Sequence, residues 1–203
     1  MRIAVLAVQG AFIEHEQMLH QLGVETVQLR KKEDLNCQYQ GIILPGGEST
    51  VQGKLLKEFG MFEELQSQIR SGIPVMGTCA GLILLANKIV NQTERYLGTL
   101  PITVLRNGYG RQLGSFYSQG NVGKIDDFPM KFIRAPYIDA IEDSEAVEEV
   151  KILAKVDGRI VAVQYKNQIG VSFHPELTKD TRIHQSFLRL TNTSTSSYNI
   201  GTE

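Results

Sequence analysis

Ile73-Pro74-Val75-Met76-Gly77-Thr78-Cys79-Ala80-Gly81-Leu82-Ile83-Leu84-Leu85-Ala86 sets a cysteine on a glycine-flanked corner between two apolar runs. The first run, Ile73 to Met76, is short enough to be a buried strand end. The second, Leu82 to Ala86, reads as the start of a core-facing helix. A sharp strand-to-helix turn needs residues without bulk on either side, which Gly77, Ala80 and Gly81 supply. Such a turn lifts the Cys79 side chain clear of the sheet and leaves backbone N–H groups beside it, the cysteine counterpart of the serine nucleophile elbow. Those N–H groups and the positive end of the helix dipole favour negative charge on the sulfur. The plain alternative is a buried cysteine acting as a small hydrophobe. A base elsewhere in the chain would decide between the two.

Working outward, several other β-branched runs end in glycine-rich corners and lead into amphipathic segments. Ile3 to Val8 precedes Ala11 to Leu22, and Gly41 to Leu44 precedes Val51 to Ile69. Val24 to Leu29 fits a further strand. This alternation predicts an α/β fold: a parallel sheet with helices on both faces. In such sheets ligands bind beyond the carboxyl ends of the strands, where both Cys79 and Pro45-Gly46-Gly47 fall. Later in the chain, Lys151 to Lys155, Ile160 to Tyr165 and Ile169 to Phe173 are separated by Asp157-Gly158 and Lys166-Asn167-Gln168 turns, predicting an antiparallel extension of the sheet. Thr191 to Ser197 is low in complexity and lacks apolar periodicity. We therefore expect one domain over 1–190 and a disordered polar tail over 191–203.

The 203 residues suffice for a substantial single core. A net charge of −1 without a basic run argues against nucleic acid, since Arg30-Lys31-Lys32 is followed at once by Glu33-Asp34. Cys37 and Cys79 lack C-x-x-C spacing, which fits a reducing, cytoplasmic setting and gives no sign of a metal site. Ile3 to Val8 is too short and too weakly flanked for a secretory signal. No stretch approaches the roughly 20 apolar residues that cross a bilayer, so no membrane role is expected.

A cysteine nucleophile needs an imidazole to move its proton, and the imidazole needs a partner on its other nitrogen. Of the four histidines, His15, His20 and His184 lie in helical patterns among polar residues, where solvated or capping roles are expected. His174 follows the Ile169-Gly170-Val171-Ser172-Phe173 run and so emerges at a strand end. Pro175 biases it toward extended backbone. Glu176 then falls on the same side two residues on, within reach of the imidazole. Taken alone, His-Pro-Glu is equally a surface turn.

In Leu44-Pro45-Gly46-Gly47-Glu48-Ser49-Thr50, the lysine of a phosphate loop is missing from its place, since Lys54 is displaced. A better use of the loop aims the N–H groups of Gly47 and Ala80 at a developing oxyanion. Ser49 and Thr50 would then cap the next helix.

Together, Gly77-Thr78-Cys79-Ala80-Gly81, Phe173-His174-Pro175-Glu176 and Pro45-Gly46-Gly47-Glu48-Ser49 resemble the three signatures of class I glutamine amidotransferases. Further motifs are similar to the PdxT family, the glutaminase subunits of pyridoxal 5′-phosphate synthase. They are Gln9-Gly10-Ala11 with Glu14-His15, Arg106-Asn107 with Gly110-Arg111-Gln112, and Phe132-Ile133-Arg134-Ala135-Pro136. The resemblance spans about residues 2 to 190. It implies a three-layer αβα, flavodoxin-like architecture with a mostly parallel sheet, and a Cys79-His174-Glu176 triad that hydrolyses L-glutamine through a γ-glutamyl thioester, with no cofactor. It also implies a glutamine site lined by Gly47, Glu48, Ser49, Arg106, Ile133 and Arg134. An arginine suits the α-carboxylate, Glu48 the α-ammonium, and Ile133 would act through its backbone.

The family passes its ammonia to a barrel-shaped PdxS-type synthase subunit in a large, twelve-plus-twelve assembly, and the resemblance implies the same partner here. Weak activity alone and activation by that partner are expected, with Gln9-Gly10 and Gly46-Gly47 as candidate relays. The chain departs from the family pattern at Gly108-Tyr109, where Ser-Phe is common, and at Tyr137, where histidine is usual. Another cysteine hydrolase of the same architecture, of the DJ-1/PfpI kind, needs neither His-Pro-Glu nor the arginine motifs. A non-catalytic binding module would not need Cys79, His174 and Glu176 together.

Overall fold

The computed structural model describes residues 1–108, 114–142 and 150–196. Its first half builds the parallel sheet. The elements are β1 (Arg2–Leu6), α1 (Phe12–Gln21), β2 (Glu25–Leu29), β3 (Ile42–Leu44), α2 (Ser49–Glu58), α3 (Phe62–Arg70), β4 (Val75–Thr78) and α4 (Ala80–Leu85). The second half adds β5 (Ala86–Ile89), β6 (Leu100–Leu105), β7 (Ser115–Val122), β8 (Ile125–Ile133), β9 (Tyr137–Ile141), β10 (Lys151–Val156), β11 (Arg159–Tyr165), β12 (Gln168–Val171) and α5 (Arg182–Ser196).

The strands run β2-β1-β3-β4-β12-β11-β9-β6-β5 across the main sheet. The first five are mutually parallel, and β11, β9 and β6 continue as antiparallel neighbours. β10 pairs only with β11, and β7 with β8 forms a separate two-stranded ribbon. The topology is therefore the expected αβα sheet with an antiparallel extension. The order reverses between β1 and β3, so the loops after them, Gln9-Gly10 and Pro45-Gly46-Gly47, flank the crevice where such sheets hold ligands.

Period-2 alternation sorts each parallel strand between two cores. Ala4, Leu6, Ile42, Leu44 and Val75 face a core shared with Leu56, Leu65 and the apolar side of α4. Ile3, Val5, Ile43, Met76 and Val171 face the other core, with Leu19 of α1 and Ile183 and Phe187 of α5. The strands, buried on both faces, read as unbroken apolar runs for this reason. Each fully buried leucine or isoleucine contributes on the order of 1.5–3 kcal/mol.

Two expectations about helices are corrected. The amphipathic segment read over Val51 to Ile69 is not continuous but two helices, because Gly60 takes φ +64 after α2. Its N–H donates to the Lys57 carbonyl at 3.1 Å while Met61 N–H reaches Leu56 O at 2.9 Å. This is a Schellman stop, with buried Met61 and Leu56 as its apolar clasp. The disorder expected from residue 191 is also absent over the first residues of that tract, since α5 continues to Ser196. Thr191 is buried, its hydroxyl donating to the Leu188 carbonyl at 2.8 Å, so a residue of the polar tract joins the helix by bonding back one turn. Residues 197–203 lie outside the described residues.

Candidate active site

Cys79 occupies the N-cap position of α4, directly after β4, with φ 48 and ψ −99. A non-glycine residue with positive φ is held there only because its surroundings over-determine it. Cys79 N–H donates to the Val171 carbonyl at 2.8 Å, tying the corner to the neighbouring strand. A Cβ on Gly81 would stand 2.7 Å from the Leu44 carbonyl carbon, and one on Gly77 2.7 Å from the carbonyl oxygen of Gly81. The two glycines thus let α4 press onto β3 and β4. The sulfur is nearly buried and lies 4.0 Å from the Ile133 carbonyl oxygen.

His174 follows β12, its N–H donating to the Lys131 carbonyl at 2.8 Å. The chain then turns into a single 3-10 turn over Pro175–Leu177 rather than continuing extended, with proline at its first position. The turn, not an extended i, i+2 pair, brings Glu176 Oε1 to 2.7 Å from His174 Nδ1. That leaves Nε2 as the ring nitrogen available to Cys79. Burial would pull His174 down, but hydrogen bonding and charge from Cys79 and Glu176 outweigh it and push the imidazole up to about 10. His174 is therefore built to hold a proton at neutral pH.

The loop after β3 closes the site. Ala11 N–H donates to the Gly46 carbonyl at 3.0 Å, and Glu48 N–H to Gln9 Oε1 at 2.8 Å. Gln52 Nε2 bonds the carbonyls of Gln9, at 2.9 Å, and Pro45. Neither Ser49 nor Thr50 caps α2: the helix starts at Ser49, which puts Glu48 at the N-cap without a side-chain bond. Ser49 Oγ is instead buried with no hydrogen-bond partner among the described residues.

Gly47, Glu48, Ser49, Arg106, Ile133 and Arg134 line one cavity of about 260 Å³ together with Cys79 and His174. Ala80 is buried as the first residue of α4. At the rim, Arg134 Nη2 pairs with Glu48 Oε1 at 3.3 Å, both side chains more than half exposed. The two departures from the family pattern meet each other: a Cβ on Gly108 would run into the Tyr137 ring, so glycine at 108 makes room for tyrosine at 137. Residues Tyr109, Gly110, Arg111 and Gln112 lie outside the described residues.

The expectation that His15 and His184 are solvated or capping is wrong, since both are fully buried behind the triad. His15 Nδ1 is 2.9 Å from His184 Nε2, and His15 Nε2 is 3.1 Å from Thr78 Oγ1 and 3.4 Å from Glu176 Oε2. Burial, then the neighbouring imidazoles of His184 and His174, push His15 well below its usual value. Burial pushes His184 down to about 4. Gln9, expected with Gly10 as a candidate relay, makes a contact that its motif did not specify. Its side-chain amide is what steadies Glu48 N–H.

Residues 5–193 match the model of the SNO glutamine amidotransferase family. The chain is 60% identical over 188 residues to the pyridoxal 5′-phosphate synthase subunit PdxT of Desulfitobacterium hafniense (strain DSM 10664 / DCB-2), covering 93% of this chain and 92% of that one. It is 51% identical over 193 residues to the subunit of the same name from Streptococcus pneumoniae (strain CGSP14), covering 94% and 97%. A crystal structure described as a glutamine amidotransferase superposes with a TM-score of 0.87 at 41% identity, covering 94% of this chain and 98% of that one. Another glutamine amidotransferase, from Thermotoga maritima, at 16% identity and a TM-score of 0.61 over 99% of this chain and 86% of that one, shares the fold.

Proposed function

The chain belongs to the SNO glutamine amidotransferase family, and from that premise we propose that it is the glutaminase subunit of a pyridoxal 5′-phosphate synthase. It hydrolyses L-glutamine to L-glutamate and supplies the ammonia to a separate synthase subunit. The observation that carries this reading is one cavity holding a cysteine, an imidazole with its carboxylate and a rim of opposite charges. Arg134 and Glu48 match the two charges of an α-amino acid, which would replace their mutual pair with its own carboxylate and ammonium. Arg106 lines the same cavity and adds positive charge for the carboxylate.

In the reaction, Cys79 Sγ attacks the carboxamide carbon while Gly47 and Ala80 N–H groups receive the oxyanion. The protonated His174 gives its proton to the amide nitrogen, the C–N bond breaks, and ammonia leaves a γ-glutamyl thioester. Water then loses a proton to His174 and adds to the thioester, and collapse returns the Cys79 thiolate beside protonated His174, the new carboxyl group releasing its proton to solvent as glutamate. Glu176 holds His174 in the tautomer and orientation that both steps need.

Activation by the synthase subunit belongs to the same reading. Gln9 holds Glu48 N–H and Ala11 holds the Gly46 carbonyl, so a partner that moves the Gln9-Gly10 turn moves the oxyanion loop with it. The assembly is cytoplasmic and pairs twelve copies of each subunit; sedimentation of the mixture measures that stoichiometry. The deciding experiment combines the chain with a pyridoxal phosphate synthase subunit, glutamine, ribose 5-phosphate and glyceraldehyde 3-phosphate. Glutamate release and the product chromophore should both appear, and both should vanish with Cys79→Ala. Hydrolysis retained by Cys79→Ala would sink the mechanism, and equal glutaminase turnover with and without the synthase subunit would refute the coupling.

A further inference from the structure

Behind the triad, four elements deliver polar groups to one buried spot. His15 comes from α1, Thr78 from the end of β4, Glu176 from the 3-10 turn and His184 from α5. Glu176 uses Oε1 for His174, so its other oxygen needs compensation of its own. The side chain is fully buried, and His15 Nε2 stands 3.4 Å from Oε2. His15 Nε2 is aligned with Thr78 Oγ1 rather than with Oε2, which has no hydrogen-bond partner of its own among the described residues. A buried carboxylate oxygen facing nothing is strongly unfavourable, because it has lost its water and gained no donor.

The tautomers follow from the contacts. One of the two neutral rings must donate across the 2.9 Å gap between His15 Nδ1 and His184 Nε2. If His15 donated there, its Nε2 lone pair would face a carboxylate, and His184 Nδ1, which is buried and has no partner among the described residues, would be left holding an unsatisfied proton. If His184 donates from Nε2, His15 carries its proton on Nε2 and turns it toward Glu176 and Thr78. His184 Nδ1 is then a bare acceptor, the cheaper of the two orphans. The second arrangement gives both ring N–H groups an acceptor, His15 Nδ1 for His184 and Thr78 Oγ1 for His15.

We propose that His15, set in its Nε2–H tautomer by His184, is a positioning residue for the Cys79-His174-Glu176 site: its N–H, bonded to Thr78, faces the second oxygen of Glu176 at 3.4 Å and compensates its charge, and through Glu176 it sets the orientation of His174. This rests on the glutaminase reading for its effect on turnover, but the geometry it describes can be read without turnover. The titratable groups facing His15 are Glu176 on the 3-10 turn, His184 on α5 and His174 beyond β12. Losing the His15 donor leaves Glu176 to rotate away or shed its charge, and His174 then loses a partner that holds its proton.

The test compares wild type, His15→Phe and His15→Gln, whose amide N–H restores a donor near the Nε2 position. Two readouts are taken on the full chain, after circular dichroism confirms that each variant is folded. The first is histidine ¹⁵N NMR. We expect wild-type His15 and His184 both as Nε2–H tautomers, and the His174 midpoint to fall by about one pH unit or more in His15→Phe but to stay near wild type in His15→Gln. The second is glutaminase kinetics with the synthase subunit present. His15→Phe should lose about 10- to 100-fold in kcat with KM for glutamine nearly unchanged, and His15→Gln should recover most of it. An unchanged His174 midpoint in folded His15→Phe, or His15 found with its proton on Nδ1, overturns the proposal. If His15→Phe itself does not fold, the wild-type tautomers and the His15→Gln kinetics decide it alone, the latter by failing to keep wild-type kcat. Absence of glutaminase activity in wild type overturns the functional reading instead, and leaves the NMR result to stand by itself.

Discussion

Gly46 shows how finely the site is packed around His174. Its φ lies outside the left-handed region, so an alanine there meets no backbone penalty. A Cβ would nevertheless stand 2.7 Å from His174 Nδ1 and closer still to Cε1. Gly46→Ala must therefore push the imidazole away from Glu176 or from Cys79 while the sheet stays intact. We expect kcat to drop about 100-fold, the cost of a displacement near 1 Å at a reacting group, with a native far-UV spectrum. Wild-type kcat in the folded variant would show that His174 is not held where the structure places it. At this scale Cys79, His174 and Glu176 were legible because each stands in a short motif with its own local reason. His15 and His184 were not legible, because each sits in a helical stretch made mostly of polar residues. Glu14 and Glu16 flank His15 and Ile13 is exposed, so the burial of His15 is created by α5 and the 3-10 turn, more than 150 residues away.

Among the elements, β1, β3 and β4 announced themselves, since each is an apolar run that leads into a glycine corner. The ribbon β7-β8 and the strands β5, β6 and β9 carry weaker cues. In β7 every second residue from Ser115 is exposed and none is fully buried until Val122. Pro101 and Pro129, which lie inside β6 and β8, also argue against a strand by local rules. The break between α2 and α3 was hidden for a different reason: a continuous amphipathic pattern runs through a glycine whose role is conformational. That role can be measured. A Cβ on Gly60 meets nothing nearer than Lys32 Cδ at 3.7 Å, so Gly60→Ala is not a packing change. The cost of holding alanine at φ +64 should appear as a loss of about 1–2 kcal/mol. Gly60→Asn should lose less, since asparagine tolerates this conformation. Urea unfolding of the three proteins checks it, and equal midpoints for Ala and Gly would show that the stop is made by Met61 and Leu56 alone.

Across the whole molecule, the alternation of runs was enough for the αβα layering, while the polar link that ties the helices of one face to the site was not. The buried histidine pair links α1 and α5, on one face of the sheet, to the end of β4, and this gives global stability a pH dependence. His184 lies near 4 in the folded chain and His15 lies well below 6.5. Both rings are neutral in the fold and bind protons readily once unfolded. A folded value depressed below the unfolded one means that the unfolded chain takes up more protons as pH falls from about 6.5 toward 4. Stability contributed by the neutral pair is complete above 6.5 and is lost across that window. The slope is at most about 1.4 kcal/mol per pH unit for each ring. His174 acts oppositely: raised to about 10, it adds stability that is complete below 6.5 and fades as pH rises toward 10. A fold with both kinds of histidine should be most stable near neutrality. His184→Gln removes one titrating ring but keeps an amide donor facing His15. Its melting temperature should therefore fall less steeply than wild type between pH 6.5 and 4, while the alkaline side, set by His174, stays parallel. Parallel acid slopes for the two proteins would mean that His184 is already solvated or protonated in the fold, against its complete burial in the structure.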